Sequence, residues 1–357
     1  MEVRAWTVRA TDAPMVLEPR EETPGRGEVL VQVAGCGVCH TDLGFLYDGV
    51  PTRHALPLTL GHEVSGRVVA CGEGAQVWLG RNVIVPAVIP CGECDACRAG
   101  RGSVCPKQIF PGNDVHGGFA SHLRVPSRGL CPVPDLGDAR VNPLGLDLAA
   151  LSVIADAVST PYQAVERTGL SRGDLAVFVG VGGVGGFGAQ IAAARGAHVV
   201  AIDVDAHKLA LMGEHGVSLG LRADQLDFKA LKKELAAFAA ARQCPTWRTR
   251  IFETSGTVQG QETAFGLLGH GGLLSVVGYT PHKVTLRLSN LMALDATLQG
   301  TWGCAPELYP AVLDLVLAGH VRVAPFVERR PLASINQTFA EIHDRRVARR
   351  VILVPES

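Results

Sequence analysis

The hydrophobic pattern changes character part-way along the chain. In the first third, short runs rich in β-forming residues are bounded by Gly, Pro and charged positions. The runs that predict strands there are Val29–Val33, Val64–Cys71 and Arg81–Val88. This part of the chain therefore predicts a compact module built on β-strands.

From about Leu175 onward, short apolar runs alternate with helical stretches. The runs that predict buried strands are Leu175–Val179, His198–Ile202, Arg250–Phe252, Leu273–Val277 and Leu298–Thr301. The stretches that predict helices are Val184–Ala194, Ala223–Ala241 and Pro306–Ala318. Buried strands that alternate with helices are typical of an α/β fold with a parallel sheet.

Composition excludes several classes of protein. Of 357 residues, 47% are hydrophobic and 19% are charged, against roughly 25% charged in an average chain. The 33 Lys and Arg residues nearly balance the 34 Asp and Glu residues. A disordered chain, a polybasic nucleic-acid binder and an acidic tail protein are all disfavoured. The low charge favours self-association, so we expect a homo-oligomer.

The sequence also predicts a cytoplasmic location. The first residues, Met1 to Pro14, carry charges and no apolar stretch, so they do not predict a secretory signal. The most apolar region, Leu175 to Ile202, is interrupted by glycines, Gln190 and Arg195, and predicts no membrane span. In a reducing compartment, ten cysteines are better explained by metal binding than by disulfides.

Four cysteines form the most specific motif. Cys91, Cys94 and Cys97 are each separated by two residues, and Cys105 follows after seven more. Four thiolates at this spacing can close a tetrahedral zinc site with no open coordination position, which is typical of structural zinc. An iron–sulfur cluster is the main alternative, and a chance grouping of buried cysteines is the other.

A second group of chemical residues surrounds Cys39. Cys36-Gly-Val-Cys39-His40 matches the attachment signature of haem c, but nothing in the sequence supports the export that haem attachment requires. Cys39 with the later His62 and one further carboxylate or thiolate would instead bind zinc and leave its fourth position open for chemistry. Taken alone, His62 is more typical of a core histidine and Cys39 of a small buried hydrophobic residue, but together they favour the metal site.

A glycine motif indicates a dinucleotide site. The strand Val177-Phe178-Val179 runs into Gly180-Val181-Gly182-Gly183-Val184-Gly185, where a helix is predicted to begin. Such a turn lets the backbone approach a pyrophosphate at the positive end of the helix. Asp203 ends the next strand 18 residues after Gly185, where a carboxylate accepts hydrogen bonds from a ribose and repels a 2′-phosphate. NAD is therefore favoured over NADP, unless Asp203 only caps a turn.

These motifs together resemble the zinc-containing medium-chain alcohol dehydrogenases over essentially the whole chain. The resemblance is carried by Cys39-His40-Thr41-Asp42, Gly61-His62-Glu63, the four cysteines and Gly180 to Gly185. Within the family, the chain is most similar to the 6-hydroxycyclohex-1-ene-1-carbonyl-CoA dehydrogenases. The stretches that indicate this are Val85–Cys91, Pro111–Asp114, Ala155–Tyr162 and Arg287–Met292.

The resemblance implies the architecture. It predicts a GroES-like, β-rich catalytic domain over residues 1–156, to which residues 320–357 return, and a Rossmann NAD-binding domain with a doubly wound parallel sheet over residues 157–319. The fold class is therefore α/β. Relatives associate through the last strand of the nucleotide sheet, here Ala296 to Trp302, as dimers or tetramers.

The resemblance also implies roles around the catalytic zinc. Cys39 and His62 become zinc ligands, and Asp156 stands where relatives carry the third protein ligand. Glu63 lies just outside the ligand set and exchanges with water at the metal. Thr41 binds the substrate oxygen and starts the path of the departing proton. Some relatives continue this path with a histidine at the position of Gly44, so His40 or water would have to serve here.

For the cofactor, the resemblance implies that Thr160 approaches the nicotinamide and Lys208 the adenosine ribose. Arg350 matches a position that contacts the pyrophosphate, and its alternative is a solvated basic face shared with Arg345, Arg346 and Arg349. The glycine motif, with Val184, holds the pyrophosphate itself.

The implied reaction is the oxidation of a secondary alcohol by NAD. Zinc lowers the pKa of bound water to about 7 and should acidify a bound alcohol comparably. The narrower resemblance implies an acyl-CoA substrate, oxidised from 6-hydroxycyclohex-1-ene-1-carbonyl-CoA to the 6-oxo product. Two alternatives are a zinc dehydrogenase of another cyclic, aromatic or sugar alcohol, and a nucleotide-binding protein that has lost its chemistry. No nucleic-acid or membrane partner is expected.

Overall fold

The computed structural model describes residues 1–356, which form two compact units. The first unit consists of Met1–Ser159, Gly303–Gly319 and residues 323–356, and the second consists of Thr160–Trp302 and His320–Arg322. The sequence expectation placed residues 157–159 in the second domain and residues 320–322 in the first, and the two units have them the other way round. The largest difference is residues 303–319, which were expected in the second domain and belong to the first unit. Tyr309 explains the difference, because its hydroxyl group is hydrogen-bonded to backbone atoms of Ala87 and Ala155 in the first unit.

The strands and helices are numbered here in chain order. The strands are β1 (Glu2–Val8), β2 (Val16–Glu21), β3 (Glu28–Gly37), β4 (Leu58–Thr59), β5 (Glu63–Cys71), β6 (Asn82–Val85), β7 (His122–Pro126), β8 (Cys131–Pro132), β9 (Leu175–Val179), β10 (His198–Asp203), β11 (Leu219–Arg222), β12 (Thr249–Glu253), β13 (Leu273–Val276), β14 (Thr297–Gly300), β15 (Val327–Pro331) and β16 (Arg350–Val354). The α-helices are α1 (His40–Leu46), α2 (Asp95–Arg98), α3 (Ser159–Arg167), α4 (Gly185–Ala194), α5 (Ala206–Gly213), α6 (Phe228–Ala241), α7 (Val258–Gly266), α8 (Ser289–Leu294), α9 (Tyr309–Leu317) and α10 (Ile335–His343).

Two sheets build the first unit. A seven-stranded sheet has the order β15-β16-β3-β5-β6-β8, with β7 also paired to β3, and a three-stranded sheet has the order β2-β1-β4. All of these pairs are antiparallel except β15 with β16. In the core, the rings of Phe119 and Phe339 meet edge to face at 5.5 Å. The C-terminal helix α10 therefore contributes to the core of this unit.

The second unit contains a six-stranded, wholly parallel sheet of order β11-β10-β9-β12-β13-β14. Counted along the chain, this is the 3-2-1-4-5-6 order of the Rossmann fold. The central strand β9 is buried at all five positions, as expected for a parallel strand covered on both faces. The predicted α/β fold with a parallel Rossmann sheet is confirmed.

Several boundaries differ from the predictions for local reasons. β6 ends at Val85, before Pro86, because proline has no backbone N–H for the sheet. α6 begins at Phe228 instead of Ala223, because Asp227 caps it by accepting a hydrogen bond from the backbone of Ala230. The short strand β11 was not predicted. Among residues 1–356, we find no helix that is both long and apolar enough to cross a membrane.

Candidate metal centres and dinucleotide site

Cys39 lies at the start of a short helix directly after a central strand. It is the N-terminal cap of α1, two residues beyond the end of β3, and it is 8% exposed. The side chain of Asp42 accepts a hydrogen bond from the backbone N–H of Cys39 at 3.0 Å, which fixes this turn. Thr41 Oγ1 lies 3.6 Å from Cys39 Sγ. The turn therefore places a thiol and a hydroxyl side by side.

Sheet pairing brings the next two residues to the same place. β5 pairs with β3 so that Glu63 lies opposite Gly37, and His62 immediately precedes β5. Both side chains are buried, with exposures of 1% for His62 and 0% for Glu63. Because β3 leads directly to Cys39, this register sets the imidazole beside the thiol.

Asp156 completes the cluster. It follows the 3-10 helical segment Ala149–Ala155, which packs against β3 and β5. Its Oδ2 atom lies 3.5 Å from His62 Nε2 and 3.9 Å from Cys39 Sγ. Ligand atoms of Cys39, His62, Glu63 and Asp156 all lie within 4.8 Å of one another. The structure therefore brings together four predicted residues from three distant stretches of chain.

The cluster fits zinc on its donor chemistry. Sulfur, imidazole nitrogen and carboxylate oxygen are the ligand types that zinc takes in proteins. Both ring nitrogens of His62 are buried, and among the described residues neither has a well-formed hydrogen bond, since the carboxylate oxygens that face them lie 3.4 and 3.5 Å away. Such a buried polar group is costly unless another partner binds it. Asp42 Oδ1 lies 3.4 Å from His62 Nδ1, where it orients the ring so that Nε2 faces the other ligands.

The protein part of the cluster carries perturbed acid–base groups. Burial acts to lower the pKa of His62, but the carboxylates of Asp42 and Asp156 outweigh it and raise that pKa well above its usual value. Burial also raises the pKa of Glu63, against the opposing effect of Arg350. Several anionic groups are thus concentrated around one imidazole, and a bound divalent cation would neutralise their negative charge.

Arg350 is bound to Glu63. Its Nε donates a hydrogen bond to Glu63 Oε2 at 2.8 Å, and a second guanidinium nitrogen donates to Glu63 Oε1. The side chain of Arg350 is 6% exposed and that of Glu63 is 0% exposed. The alternative that Arg350 belongs to a solvated basic face is therefore wrong, because its strand β16 lies between β15 and β3 and its side chain is buried against Glu63. Its contact with a pyrophosphate stays a prediction.

The four-cysteine lobe has the dimensions of a zinc site. Sγ–Sγ distances are 3.9 Å for Cys91 and Cys97, 3.5 Å for Cys94 and Cys97, and 3.6 Å for Cys94 and Cys105. Four sulfurs at 2.3 Å from one tetrahedral ion lie about 3.8 Å apart. The backbone N–H of Gly92 points at Cys97 Sγ at 3.3 Å, which stabilises a thiolate. All four thiols are free of disulfides.

The glycine motif forms a tight turn against the loop after β12. Gly180 has a φ of +88°, and a Cβ there would lie 2.6 Å from the backbone of Ser255. A Cβ on Gly185 would lie 1.9 Å from the carbonyl oxygen of Gly180, whereas one on Gly182 would meet nothing within 4 Å. The first and last glycines are thus needed for packing, and the middle one keeps the approach to α4 open. This is the form of a pyrophosphate cradle.

Asp203 lies at the predicted end of β10, beside this turn. Its Oδ2 accepts a hydrogen bond from the backbone of Val181 at 2.8 Å, and its Oδ1 accepts one from Asp205 at 3.0 Å. The carboxylate therefore does cap a turn, and it also ties that turn to the glycine motif. Lys208 lies half-exposed on the first turn of α5, and Thr160 is buried in α3.

Two family models match the chain over more than half of its length. Residues 25–135 match the alcohol dehydrogenase GroES-like domain, and residues 183–318 match the zinc-binding dehydrogenase domain. The chain belongs to the zinc-binding medium-chain alcohol dehydrogenases. The enzyme is an NAD-dependent alcohol oxidoreductase, and its two clusters fit two zinc ions per chain.

Relatives extend over nearly the whole enzyme. An alcohol dehydrogenase of Geobacillus stearothermophilus is 29% identical over 350 residues, which cover 97% of this chain and 96% of the relative. A 2-dehydro-3-deoxy-L-galactonate 5-dehydrogenase of Pseudoalteromonas atlantica is 28% identical over 332 residues, 92% of this chain and 91% of the relative. The crystal structure of the alcohol dehydrogenase of Aeropyrum pernix has 28% identity and a TM-score of 0.84, covering 99% of this chain and 100% of that one. One of these relatives is named for a sugar acid and the other two only for an alcohol, so family membership leaves the substrate open.

Sequence reasoning assigned no role to some residues that shape the catalytic cluster. Asp42 was part of the quoted motif, and its burial and its contacts with Cys39 and His62 appear only in the fold. Phe110 packs its ring on that of His62 at a centroid distance of 4.7 Å, although it lies far along the chain. An acidic residue three positions after a cysteine at a predicted helix start was the available signal for Asp42.

A substitution in the four-cysteine lobe should separate the two metal sites of the enzyme. We expect Cys97→Ser to lower the zinc content from two ions per chain towards one and to lower the unfolding temperature, because structural zinc contributes directly to folding. Elemental analysis and thermal unfolding would check this. A variant that keeps both ions would contradict the assignment of the lobe as a metal site.

Changing Asp203 should alter the choice of cofactor. Hydrogen bonds to a charged group contribute about 1.5–3 kcal/mol, or roughly 10- to 100-fold in binding. We therefore expect Asp203→Ala to lower kcat/KM for NAD relative to NADP by about that factor. Asp224→Asn, which changes an exposed carboxylate paired with Arg222, is the matched control. An unchanged NAD to NADP ratio in Asp203→Ala would contradict the ribose assignment.

Proposed function

We propose that Cys39, His62 and Asp156 hold the catalytic zinc, and that the enzyme oxidises 6-hydroxycyclohex-1-ene-1-carbonyl-CoA to the corresponding 6-oxo thioester. The observation that carries the metal assignment is the cluster itself, in which sulfur, nitrogen and oxygen donors lie within 4.8 Å of one another. The lobe of four cysteines holds the second, structural zinc. Both assignments account for every predicted metal ligand.

The chain's own residues supply proton handling and positioning. A bound zinc ion supplies Lewis acidity that lowers the pKa of an alcohol hydroxyl group. Thr41, whose hydroxyl lies beside Cys39 Sγ, accepts the hydroxyl proton of the substrate and passes it outward. The ring of Phe110 packs against that of His62 at a centroid distance of 4.7 Å, which restricts the movement of the imidazole within the cluster.

The acyl-CoA substrate is supported by where the resembling stretches lie. Ala155–Tyr162 contains Asp156, and Pro111–Asp114 directly follows Phe110, which packs on His62. Val85–Cys91 contains Ala87, whose backbone is hydrogen-bonded to the carbonyl next to Asp156. Three of the four stretches that carry the narrower resemblance therefore include or adjoin the residues around the catalytic cluster.

A dehydrogenase of a free alcohol or sugar acid is the second candidate, because the relatives named above act on such compounds by name. The deciding assay follows NADH formation with 6-hydroxycyclohex-1-ene-1-carbonyl-CoA and with a panel of free cyclic, aromatic and sugar alcohols, before and after chelation. A higher kcat/KM for the thioester supports the proposal. Preference for a free alcohol supports the second candidate, and NAD binding with no turnover of any alcohol would indicate a non-catalytic protein.

We also propose that the enzyme is a homodimer or homotetramer that associates through the edge of its parallel sheet. Among residues 1–356, the edge strand β14 has no strand paired on its outer side. Large apolar side chains are exposed close to it along the sequence, namely Leu288, Met292 and Trp302. Light scattering of the purified enzyme would give the number of subunits.

A further inference from the structure

One buried tyrosine is hydrogen-bonded to the segment that carries Asp156. Tyr309 begins α9 and is fully buried, with 0% of its surface exposed. Its hydroxyl donates a hydrogen bond to the carbonyl oxygen of Ala155 at 2.5 Å and accepts one from the backbone N–H of Ala87 at 3.2 Å. The phenol thus joins three separate stretches of the first unit directly beside a proposed metal ligand.

The carbonyl of Ala155 receives an unusual number of donors. Besides Tyr309, the hydroxyl of Ser159 donates to it at 3.2 Å and the backbone N–H of Ala87 at 3.3 Å. A buried carbonyl needs only one partner to avoid a desolvation cost. One hydrogen bond would be enough for this oxygen. The additional donors therefore act to fix the orientation of the peptide between Ala155 and Asp156.

The orientation of this peptide controls where the Asp156 carboxylate points. Asp156 leaves the 3-10 segment with φ −144° and ψ −56°, outside the regular helical and strand regions. From that backbone, its Oδ2 reaches to 3.5 Å from His62 Nε2 and 3.9 Å from Cys39 Sγ. A rotation of the preceding peptide would move the carboxylate away from both.

We propose that Tyr309 is a positioning residue for the catalytic metal site, because its hydroxyl locks the Ala155–Asp156 peptide and thereby aims the Asp156 carboxylate at Cys39 and His62. The inference rests on the proposed role of Asp156 as a ligand. Burial, and to a lesser extent Cys304, raises the pKa of Tyr309 well above its usual value, so the phenol stays protonated and remains a donor. A residue that only filled the core would not need a hydroxyl group at this position.

The test compares Tyr309→Phe with the unmodified enzyme after cobalt has replaced zinc. The phenylalanine keeps the ring and removes the hydroxyl. Loss of a group that orients a metal ligand typically costs 10- to 100-fold in metal affinity. We expect a shift in the visible absorption bands of cobalt bound by mixed sulfur, nitrogen and oxygen donors, and release of that ion to a chelator at least about tenfold faster. The bands and release of cobalt in the all-sulfur lobe should not change.

Two further variants keep the result interpretable. Ser159→Ala removes another donor from the same carbonyl without altering the core ring, so it should shift the same bands in the same direction by a smaller amount. Thr338→Val removes a buried hydroxyl on α10 that lies 3.3 Å from the hydroxyl of Ser334, and it should shift neither the bands nor the release rate. Equal effects of Tyr309→Phe and Thr338→Val would overturn the proposal.

Asp156→Asn separates failure of this inference from failure of the proposed function. If Asp156→Asn changes the cobalt bands and Tyr309→Phe does not, Asp156 is a ligand and Tyr309 does not position it. If Asp156→Asn also leaves the bands and the release rate unchanged, the ligand assignment itself is wrong. If both variants change them and Thr338→Val does not, the positioning role is supported.

Discussion

Replacing Cys39 with serine, or His62 with alanine, is expected to abolish alcohol oxidation while NAD binding continues. The two side chains supply the sulfur and nitrogen donors of the catalytic cluster. A metal ion in such a site provides several kcal/mol of charge stabilisation in the transition state. Since each 1.36 kcal/mol is tenfold in rate, kcat should fall by roughly 10³-fold or more.

Metal analysis and calorimetry make this prediction decisive. Each variant is assayed for zinc content, for NAD affinity by calorimetry and for turnover with the preferred alcohol. Cys71→Ser, which changes a half-buried thiol at the end of β5, is the matched control and should keep full activity and two ions. Undiminished turnover in a variant shown to lack the catalytic ion would refute the assignment. So would a fully active unmodified enzyme that holds a single ion, confined to the four cysteines.

Motifs whose functional residues lie close together in the sequence were predictable in detail. The four cysteines lie within 15 residues, so their spacing alone determines whether one ion can be reached. The glycine turn is equally local, because Gly180 and Gly185 meet each other across one tight turn. The strands β9, β10 and β12 were predictable for a related reason, since each contains a short apolar run of strand length, which is typical of a buried parallel strand.

Contacts between residues that are far apart in the sequence could not be predicted from local motifs. Glu63 and Arg350 are 287 positions apart, and nothing in either local pattern indicates that they form a pair. Arg350 follows Arg349 in a run of charges that resembles an exposed face, yet it begins β16 and its side chain is buried against Glu63. The contacts of Tyr309 were also not predictable. Its helix has an apolar pattern, which gives no indication that the hydroxyl group has two backbone partners.

The buried pair of Glu63 and Arg350 leads to the second large effect. We expect Arg350→Met to lower the free energy of unfolding by about 3–5 kcal/mol, because it leaves a carboxylate buried without its partner. Burial would then raise the pKa of Glu63 further. A carboxyl group whose pKa is higher in the folded chain holds its proton more tightly there, so the loss of stability should be smaller at acidic pH and larger at alkaline pH.

Urea unfolding of the zinc-loaded enzyme at several pH values would measure this loss. Arg349→Met removes the adjacent, exposed guanidinium and should change the free energy of unfolding by no more than about 0.5 kcal/mol. The double variant Glu63→Gln with Arg350→Met removes both charges and should recover much of the stability, because no ion is then left unpaired. Equal losses in Arg350→Met and Arg349→Met would show that the pair adds nothing to stability. A double variant as unstable as Arg350→Met would instead show that the arginine acts by packing and not by charge.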